Sequence, residues 1–365
     1  MPTGRRNVAI YVPALVGGGA ERVAALLASG LGRDGYQVTL IVDFEAPENR
    51  GLVDADIAIV TLGGGHARST LRLAGLLRER RFAIALAIGA SANIKLVAAQ
   101  VIARTQTRLI LSYHGTSAVG RGWLGWSGYP LAPLLTRRAA RTICVSDYLV
   151  RHMVEDWHSP PARLVRIYNP VRVECARPPA SAAELKLRPP AIIALGRLAA
   201  EKDFTTLVNA FALVPQRASR LVIYGDGPER DALRRLADRL GLAGRVDLPG
   251  YIDDPWDAYS KASCFVLTSR SEAFGNVVVE ALASGLPVVS TDCGGPVEIL
   301  DFGRYGEIVP MGEPTALAAA IGRALDQPGE PARRIARARD FADEAIVKRY
   351  AALFDDVLTD RAATP

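Results

Sequence analysis

The sequence SRSEAFGNVVVEA, residues 269–281, contains a clear strand-to-helix connection. The apolar run 264–268 before it has the length of a buried strand, and residues 277–284 have a helical pattern. Next come a helix stop at Gly285 and a second apolar run, PVVS at 287–290. Strand, helix and strand in succession predict a parallel sheet.

Glu272 and Glu280 lie on either side of this turn. Backbone N–H groups at a helix start are unpaired, and those near Gly275 and Asn276 are therefore suited to a phosphate or a hexose oxygen. Glu280, in the first turns of the helix, can accept two hydrogen bonds from a diol. Two glutamates eight residues apart also occur by chance on solvated surfaces, so the functional interpretation depends on the surrounding strand and helix pattern.

The E-x₇-E spacing of Glu272 and Glu280 resembles that of the retaining glycosyltransferases of family 4, also called glycosyl transferases group 1. The resemblance implies the α/β GT-B fold, with two Rossmann-like domains whose parallel sheets face a central cleft. It also implies transfer of a hexose or N-acetylhexosamine from a nucleotide diphosphate sugar, UDP-linked in most similar proteins. The acceptor would be a hydroxyl of a saccharide or lipid-linked saccharide in cell-surface polysaccharide assembly.

The length of 365 residues predicts two domains, because a single core rarely grows so large. Strands alternate with helices twice along the chain, which indicates two doubly wound sheets. We predict an N-terminal acceptor-side domain at 1–172, a linker at 173–189 and a C-terminal nucleotide-sugar-binding domain at 190–344. The GT-B resemblance implies that a final helix in 345–365 crosses back to the first domain.

Composition indicates a soluble globular protein, with 49% hydrophobic and 22% charged residues. No apolar run approaches the roughly 20 residues of a membrane span. The apolar run 8–16 holds a proline and is followed by glycines without a cleavage-like site, which indicates a first strand and not a signal peptide. Four cysteines without C-x-x-C spacing predict reduced thiols. We therefore expect a cytoplasmic protein.

The net charge of +6 does not by itself indicate nucleic-acid binding, and it suits acidic lipid headgroups or pyrophosphates. Aromatic residues and leucines between Trp123 and Leu135 lie beside arginines at 121, 137, 138 and 141. This segment is either a face that contacts the inner membrane surface peripherally or an amphipathic helix packed on its own domain.

Gly17, Gly18, Gly19 and Glu21 follow the first predicted strand. Glycines allow close backbone approach, and the following helix start favours anions. The spacing is not G-x-G-x-x-G, which argues against a nicotinamide cofactor. An ordinary strand–helix turn is the alternative, whereas the family resemblance implies that Gly-Gly-x-Glu positions the acceptor.

His114 follows another predicted strand, where ligands of open α/β sheets bind. A packed loop histidine is the alternative interpretation. The resemblance implies that a histidine here lies near the transferred sugar and the acceptor oxygen.

Gly196, Arg197 and Lys202 lie in a loop after the first strand of the second half. Two cations there can bind a diphosphate, and two solvated surface cations are the alternative. The resemblance implies that both hold the leaving group in place of a divalent metal. It also puts the nucleobase near Tyr251 and Ile252, although a loop aromatic is often only packed.

The remaining polar motifs predict neither a metal nor another cofactor. Asp54 and Asp56 form a D-x-D pair, but it precedes an apolar run and lies in the half that does not bind the donor. His66, His152 and His158 lack a shared ligand spacing.

The mechanism that these motifs imply begins with Glu280 on the ribose hydroxyls and Glu272 on the hexose. Arg197, Lys202 and the backbone of Phe274, Gly275, Asn276 and Val277 would stabilise the leaving diphosphate. A nucleotide-sugar epimerase or a phosphorylase of GT-B fold is an alternative enzyme. A non-catalytic nucleotide-binding protein is an alternative of another class.

Overall fold

The computed structural model describes residues 6–116, 127–177, 181–214, 220–252 and 254–360. The chain forms two compact units, each with its own core clusters. The sheet of each unit contains parallel strand pairs, as the alternating pattern predicts. The prediction of two Rossmann-like units is confirmed.

The first unit runs to Pro170 and resumes at Asp343, and the second is Val171–Ala342. The described residues of 173–189, which we predicted to be a linker, therefore belong to the second unit. They contain the 3₁₀ turn Val173–Cys175 and the helix α6, Ala182–Leu187, which Ser181 caps through its side chain. The hydroxyl of this serine offsets an unpaired N–H group at the helix start.

The first unit has a seven-stranded sheet in the order β3-β2-β1-β4-β5-β6-β7. Its strands are β1 (Asn7–Tyr11), β2 (Gln37–Val42), β3 (Ala58–Thr61), β4 (Ile84–Ile88), β5 (Arg108–Tyr113), β6 (Arg141–Cys144) and β7 (Leu164–Arg166). Its first helices are α1 (Gly19–Arg33), α2 (His66–Arg80), α3 (Ala90–Ala103), α4 (Ala132–Arg138) and α5 (Asp147–Glu155). The central strand β4 is buried on both faces, as expected for a parallel sheet covered by helices.

The second unit has a six-stranded sheet in the order β10-β9-β8-β11-β12-β13. Its strands are β8 (Ala191–Leu195), β9 (Arg220–Tyr224), β10 (Val246–Gly250), β11 (Cys264–Leu267), β12 (Val288–Thr291) and β13 (Glu307–Val309). Its other helices are α7 (Phe204–Leu213), α8 (Arg230–Arg239), α9 (Pro255–Lys261), α10 (Asn276–Ala283), α11 (Gly295–Ile299), α12 (Pro314–Asp326) and α13 (Pro331–Ala338).

The last helix, α14 (Asp343–Thr359), packs in the core of the first unit. A Cβ atom on Gly30 of α1 would lie 2.4 Å from Val347, so the glycine permits the two helices to approach closely. Tyr36 contacts Phe354 edge to face at 6.0 Å and donates a hydrogen bond to Asp355 at 3.0 Å. In the sequence, the second unit thus lies between two segments of the first.

A buried ion pair lies beyond the carboxyl end of β2 in the first unit. Lys95 Nζ is 2.6 Å from Asp43 Oδ2 and donates to Ser69 Oγ at 2.9 Å. Tyr11 donates its hydroxyl to Asp43 Oδ1 at 2.9 Å. Burial, followed by the Asp43 charge, raises the pKa of Tyr11 far above its ordinary value, so the phenol remains protonated.

The thiols of Cys144, Cys264 and Cys293 are buried and not in disulfides, and Cys175 is half-buried. Burial raises the pKa of each of the three buried thiols to about 12, so they remain protonated at neutral pH. In the described part of the chain, no helix is both long and apolar enough to cross a membrane.

Candidate active site

The loops after β8 and β11 meet at the carboxyl ends of these two neighbouring strands. Lys202 Nζ donates a hydrogen bond to Glu272 Oε1, which also accepts one from Ser269 Oγ at 3.0 Å. The hydroxyl of Thr268 donates to the Lys202 carbonyl at 2.8 Å, and the Arg270 N–H donates to the Glu201 carbonyl at 2.9 Å. The structure therefore brings together a cation and an acid that the sequence separates by 70 residues.

The Lys202–Glu272 pair keeps unused hydrogen-bonding capacity. An ammonium group has three donors and a carboxylate has two acceptor oxygens. Within the described residues, Glu272 Oε1 is the one acceptor of the Lys202 ammonium, and Glu272 Oε2 has no hydrogen-bond donor. The side chains are 22% and 17% exposed, so a ligand can reach this pair.

Arg197 is exposed, and its guanidinium pairs with Glu201 at 2.7 Å. Burial alone would raise the pKa of Glu201, but hydrogen bonds from Arg197 and the backbone and the nearby positive charges outweigh it and lower the pKa. Glu201 thus remains ionised and pairs with the Arg197 guanidinium on the loop that leads to Lys202. The sequence did not identify this partner, although a glutamate four residues after an arginine was a usable signal.

Glu280 lies in α10 and is 2% exposed. Its Oε2 accepts a hydrogen bond from the hydroxyl of Tyr259 at 2.9 Å, and Tyr259 is itself fully buried. The two acids of the E-x₇-E pattern therefore lie in different surroundings, since Glu272 is accessible and Glu280 offers only a small exposed surface. Tyr259 was missed in the sequence, because nothing in its helix marks it as a partner of a residue 21 positions away.

The turn between the two acids depends on close backbone contacts. Gly275 precedes α10 with φ +102°, a left-handed conformation that favours glycine. Glu272 donates its N–H to the Cys293 carbonyl at 2.8 Å and accepts at its own carbonyl from the Gly295 N–H at 2.9 Å. A Cβ atom on Gly295 would lie 2.5 Å from the Ala273 carbonyl oxygen, so only glycine fits there.

Phe274, Asn276 and Val277, the other residues of this turn, differ in burial and contacts. Phe274 is 2% exposed and its ring packs edge to face on Phe341 at 5.7 Å, so its side chain belongs to the core. Val277 is half-buried, and its carbonyl lies 3.2 Å from the Tyr259 hydroxyl. Asn276 begins α10, where Gly275 has no side chain with which to cap the helix.

Gly196 lies against the loop after β9. Its N–H donates to the Tyr224 carbonyl at 3.0 Å, and a Cβ atom on Gly225 would lie 2.0 Å from the Gly196 carbonyl oxygen. The loop after β10 exposes Tyr251 to 58%, whereas Ile252 is half-buried. Tyr251 is therefore not packed in the core.

The predicted acceptor residues lie in the first unit. Helix α1 begins at Gly19, with Gly18 as its N-cap and Gly17 exposed before it. The Glu21 carboxylate lies against Gly18, where a Cβ atom would come within 2.1 Å of Glu21 Oε2. Burial raises the pKa of Glu21, and a backbone hydrogen bond opposes this effect.

His114 follows β5 and its Nε2 is hydrogen-bonded to Ser112 Oγ. Burial lowers the pKa of His114 to about 4, with a smaller opposing effect of the Asn169 side chain. The imidazole is therefore neutral at pH 7. The Asp54 carboxylate pairs with Arg33 at 2.9 Å, and the described residues contain no group of three or more His, Cys, Asp or Glu side chains arranged to bind a metal.

Two known family profiles match this chain. Residues 17–174 match the profile described as Glycosyltransferase Family 4, and residues 180–341 match the one described as Glycosyl transferases group 1. Together the two profiles span most of the chain and meet near the start of the second unit. The chain belongs to glycosyltransferase family 4.

Relatives of this family 4 protein include two lipopolysaccharide core biosynthesis glycosyltransferases of Rhizobium meliloti. LpsE is 36% identical over 44% of this chain and 48% of its own length, and LpsD is 33% identical over 49% and 54%. The matched region thus spans about half the length of these relatives. A GDP-mannose-dependent phosphatidylinositol monomannoside mannosyltransferase of Mycobacterium tuberculosis is 30% identical over 65% of both chains.

Solved structures share the fold of this family 4 chain at low sequence identity. Anabaena HepE in complex with UDP and glucose has a TM-score of 0.81 and 20% identity, and covers 96% of this chain and all of its own. Sucrose-phosphate synthase of Thermosynechococcus elongatus has a TM-score of 0.82 and 21% identity, over 97% of this chain and 99% of its own. These similarities confirm the GT-B fold class.

Proposed function

We propose that this family 4 protein is a retaining glycosyltransferase. It moves a hexose or N-acetylhexosamine from a nucleotide diphosphate sugar to a hydroxyl of a saccharide or lipid-linked saccharide in cell-surface glycan assembly. The observation that carries the proposal is the accessible Lys202–Glu272 pair with unused donors and an unused acceptor oxygen. A sugar diphosphate supplies the matching groups, which are phosphate oxygens for the lysine and hydroxyls for the glutamate.

The leaving diphosphate gains negative charge as the glycosidic bond breaks. Lys202 and Arg197 are positioned on one loop to stabilise this charge, together with N–H groups at the start of α10. Glu201 and Glu272 hold the two cations before the donor arrives. Because fixed side chains supply the positive charge, we propose that turnover needs no metal and no other cofactor.

The sugar and the ribose are bound by the two acids. Glu272 accepts hydrogen bonds from the hexose hydroxyls at Oε2, while its other oxygen holds Lys202. Glu280 binds the ribose hydroxyls at its small exposed surface, in an orientation that Tyr259 fixes. Lys202 pairs with the Glu272 charge, and Ser269 donates a hydrogen bond to the same oxygen. Both contacts make this carboxylate a poorer nucleophile, which favours retention through a same-face ion pair over a covalent intermediate.

The acceptor is held by the first unit in this proposal. The neutral imidazole of His114 can accept a hydrogen bond from an acceptor hydroxyl, and the residues Gly17, Gly18, Gly19 and Glu21 position the acceptor at the start of α1. The names of LpsE and of the mycobacterial mannosyltransferase support a saccharide or lipid-linked acceptor. The HepE complex with UDP and glucose supports UDP as the donor nucleotide. The GDP-mannose dependence of the mannosyltransferase makes GDP the main alternative.

Peripheral contact with the inner membrane face from the cytoplasm is a further part of the proposal. In and beside α4, Leu131 is 39% exposed and Leu134 is 59% exposed, and Arg137 and Arg138 are exposed as well. Leucines beside arginines suit an anionic membrane surface. Residues 117–126, which include Trp123 and Trp126 of the predicted aromatic–basic face, lie outside the described residues.

The test is a binding screen followed by a transfer assay. Purified protein is screened by thermal shift against UDP-, GDP- and ADP-linked sugars, and each sugar that binds is incubated with lipid-linked and soluble saccharides in excess chelator. We expect a product with retained anomeric configuration and an unchanged rate in chelator. Loss of activity in chelator that Mn²⁺ restores would overturn the metal-free proposal.

Other outcomes would identify the alternatives. Donor turnover without any acceptor would indicate an epimerase. Tight nucleotide binding without transfer to any acceptor would indicate a non-catalytic nucleotide-binding protein.

A further inference from the structure

Arg230, the first residue of α8, carries a buried donor that no described residue satisfies. Its other terminal nitrogen donates to the Leu248 carbonyl of β10 at 2.5 Å, which fixes the guanidinium against that strand. Its Nη1 is buried and has no hydrogen-bond partner in the described part of the chain. An unpaired buried donor costs free energy, which an acceptor on a ligand can recover.

The nearby Asp226 carboxylate does not hydrogen-bond to this nitrogen. Asp226 Oδ1 is 3.8 Å from Arg230 Nη1, which is beyond hydrogen-bond distance, and the same oxygen accepts the Gly227 N–H at 2.7 Å. The charge of Arg230 is thus partly balanced while the directional donors of Nη1 remain unused. A neutral acceptor meets this requirement better than a second anion.

The open space beside Arg230 lies at Gly250, the last residue of β10. Among the described residues, a Cβ atom on Gly250 would have one heavy-atom neighbour within 4 Å outside the adjacent residues, Arg230 Nη1 at 3.7 Å. Gly250 has φ +98°, so the backbone there favours glycine and the space stays open. The exposed ring of Tyr251 follows immediately and offers a stacking surface for a planar ligand.

We infer that Arg230 selects the nucleobase of the donor by donating a hydrogen bond to an exocyclic carbonyl oxygen, which uracil and guanine present. Bases with an amino group at that edge are disfavoured. This inference rests on the proposed function, since it assumes that a nucleotide binds beside Gly250 and Tyr251. A carbonyl oxygen accepts from Nη1, whereas the amino group of cytosine or adenine opposes one donor with another. Arg230 is a specificity-determining residue and takes no part in bond breaking.

The test measures binding of UDP, CDP, GDP and ADP by titration calorimetry. UDP and CDP are a close pair, because their bases differ at position 4, a carbonyl oxygen against an amino group, and in the proton at N3. We expect UDP to bind at least about tenfold more tightly than CDP, and the Arg230→Met variant to reduce this ratio to near one. The control Arg235→Met, an exposed arginine on the same helix, should keep the ratio of the unchanged protein.

A second variant keeps the test decisive if Arg230→Met fails to fold. Arg230→Lys retains the charge but replaces the fixed fork of two terminal nitrogens by one mobile ammonium group, so it should also lower the UDP-to-CDP ratio. An unchanged ratio in a folded Arg230 variant, or equal binding of UDP and CDP by the unchanged protein, overturns the role of Arg230 and leaves the transferase proposal standing. Failure of all four nucleotides to bind overturns both.

Discussion

The two units each contain a lysine–carboxylate pair, and the pairs differ in what they leave unsatisfied. Lys95 and Asp43 in the first unit are 4% and 7% exposed, and Ser69 and Tyr11 supply further hydrogen bonds. Lys202 and Glu272 in the second unit are more accessible, and among described residues they retain unused donors and an unused oxygen. The same two charges therefore hold structural elements together in one unit and are available to a ligand in the other.

Removal of the buried lysine should have the largest effect on stability. Lys95→Met leaves the Asp43 charge buried and unpaired, which should destabilise the first unit by about 3–5 kcal/mol. Adding Asp43→Asn removes the charge and should restore part of the loss. Denaturant unfolding followed by fluorescence measures both variants, with exposed Lys348→Met of the same unit as the control. A loss below about 1 kcal/mol would show that the pair is not structural.

Removal of the accessible lysine should instead affect turnover. Lys202→Ala should lower the rate of sugar transfer by roughly 100- to 1000-fold, because one stabilising donor for the leaving group is lost. Its unfolding midpoint should change little, since the pair is accessible. Lys186→Ala, an exposed lysine of the second unit, is the control. Near-normal transfer by Lys202→Ala would remove the charge-stabilising role.

Tyr259→Phe tests whether the buried acid of the second unit acts through its orientation. Loss of the hydroxyl leaves Glu280 Oε2 without this hydrogen bond, which should weaken donor binding about tenfold and raise KM with little change in kcat. Initial-rate measurements over a range of donor concentrations separate the two constants. An equal fall in kcat would indicate that Tyr259 also affects the transition state.

The pH dependence of folding should distinguish His114 from the ion pairs. Its pKa is about 4 in the folded protein and near the ordinary value of 6.5 in the unfolded chain, so the unfolded state binds more protons between these values. Its contribution to stability is therefore present above pH 6.5 and is lost as pH falls towards 4. The contribution of His114 to the slope of unfolding free energy against pH should not exceed about 1.4 kcal/mol per pH unit. The His114→Gln variant should lack this contribution in unfolding curves taken between pH 4 and 7. An identical slope in the variant would contradict the burial of a neutral imidazole.

The sequence predicted the two sheets well, because apolar runs such as 264–268 and 84–88 report burial directly. Through the family resemblance it also singled out both residues of the Lys202–Glu272 pair. It did not predict that they contact each other, nor that the described residues of 173–189 belong to the second unit. Pairings of this kind depend on tertiary contacts between distant positions, for which a single sequence carries little signal.

Arg230 and Tyr259 illustrate the same limit at the candidate site. Neither lies in a recognisable motif for its role, and an arginine at a helix start or a tyrosine in a short helix is ordinary. What distinguishes them is one unpaired nitrogen and one hydrogen bond to a buried acid, which exist only after folding. Residues that act through burial are therefore the ones that sequence patterns miss.

The return of α14 to the first unit has a consequence for biosynthesis. The core of that unit includes Ile346, Tyr350 and Phe354, which a ribosome adds after every residue of the second unit. The second unit is continuous in sequence and can complete its own core earlier. We expect the part of the chain made first to become stable last, and to expose apolar surface to chaperones until the final helix emerges.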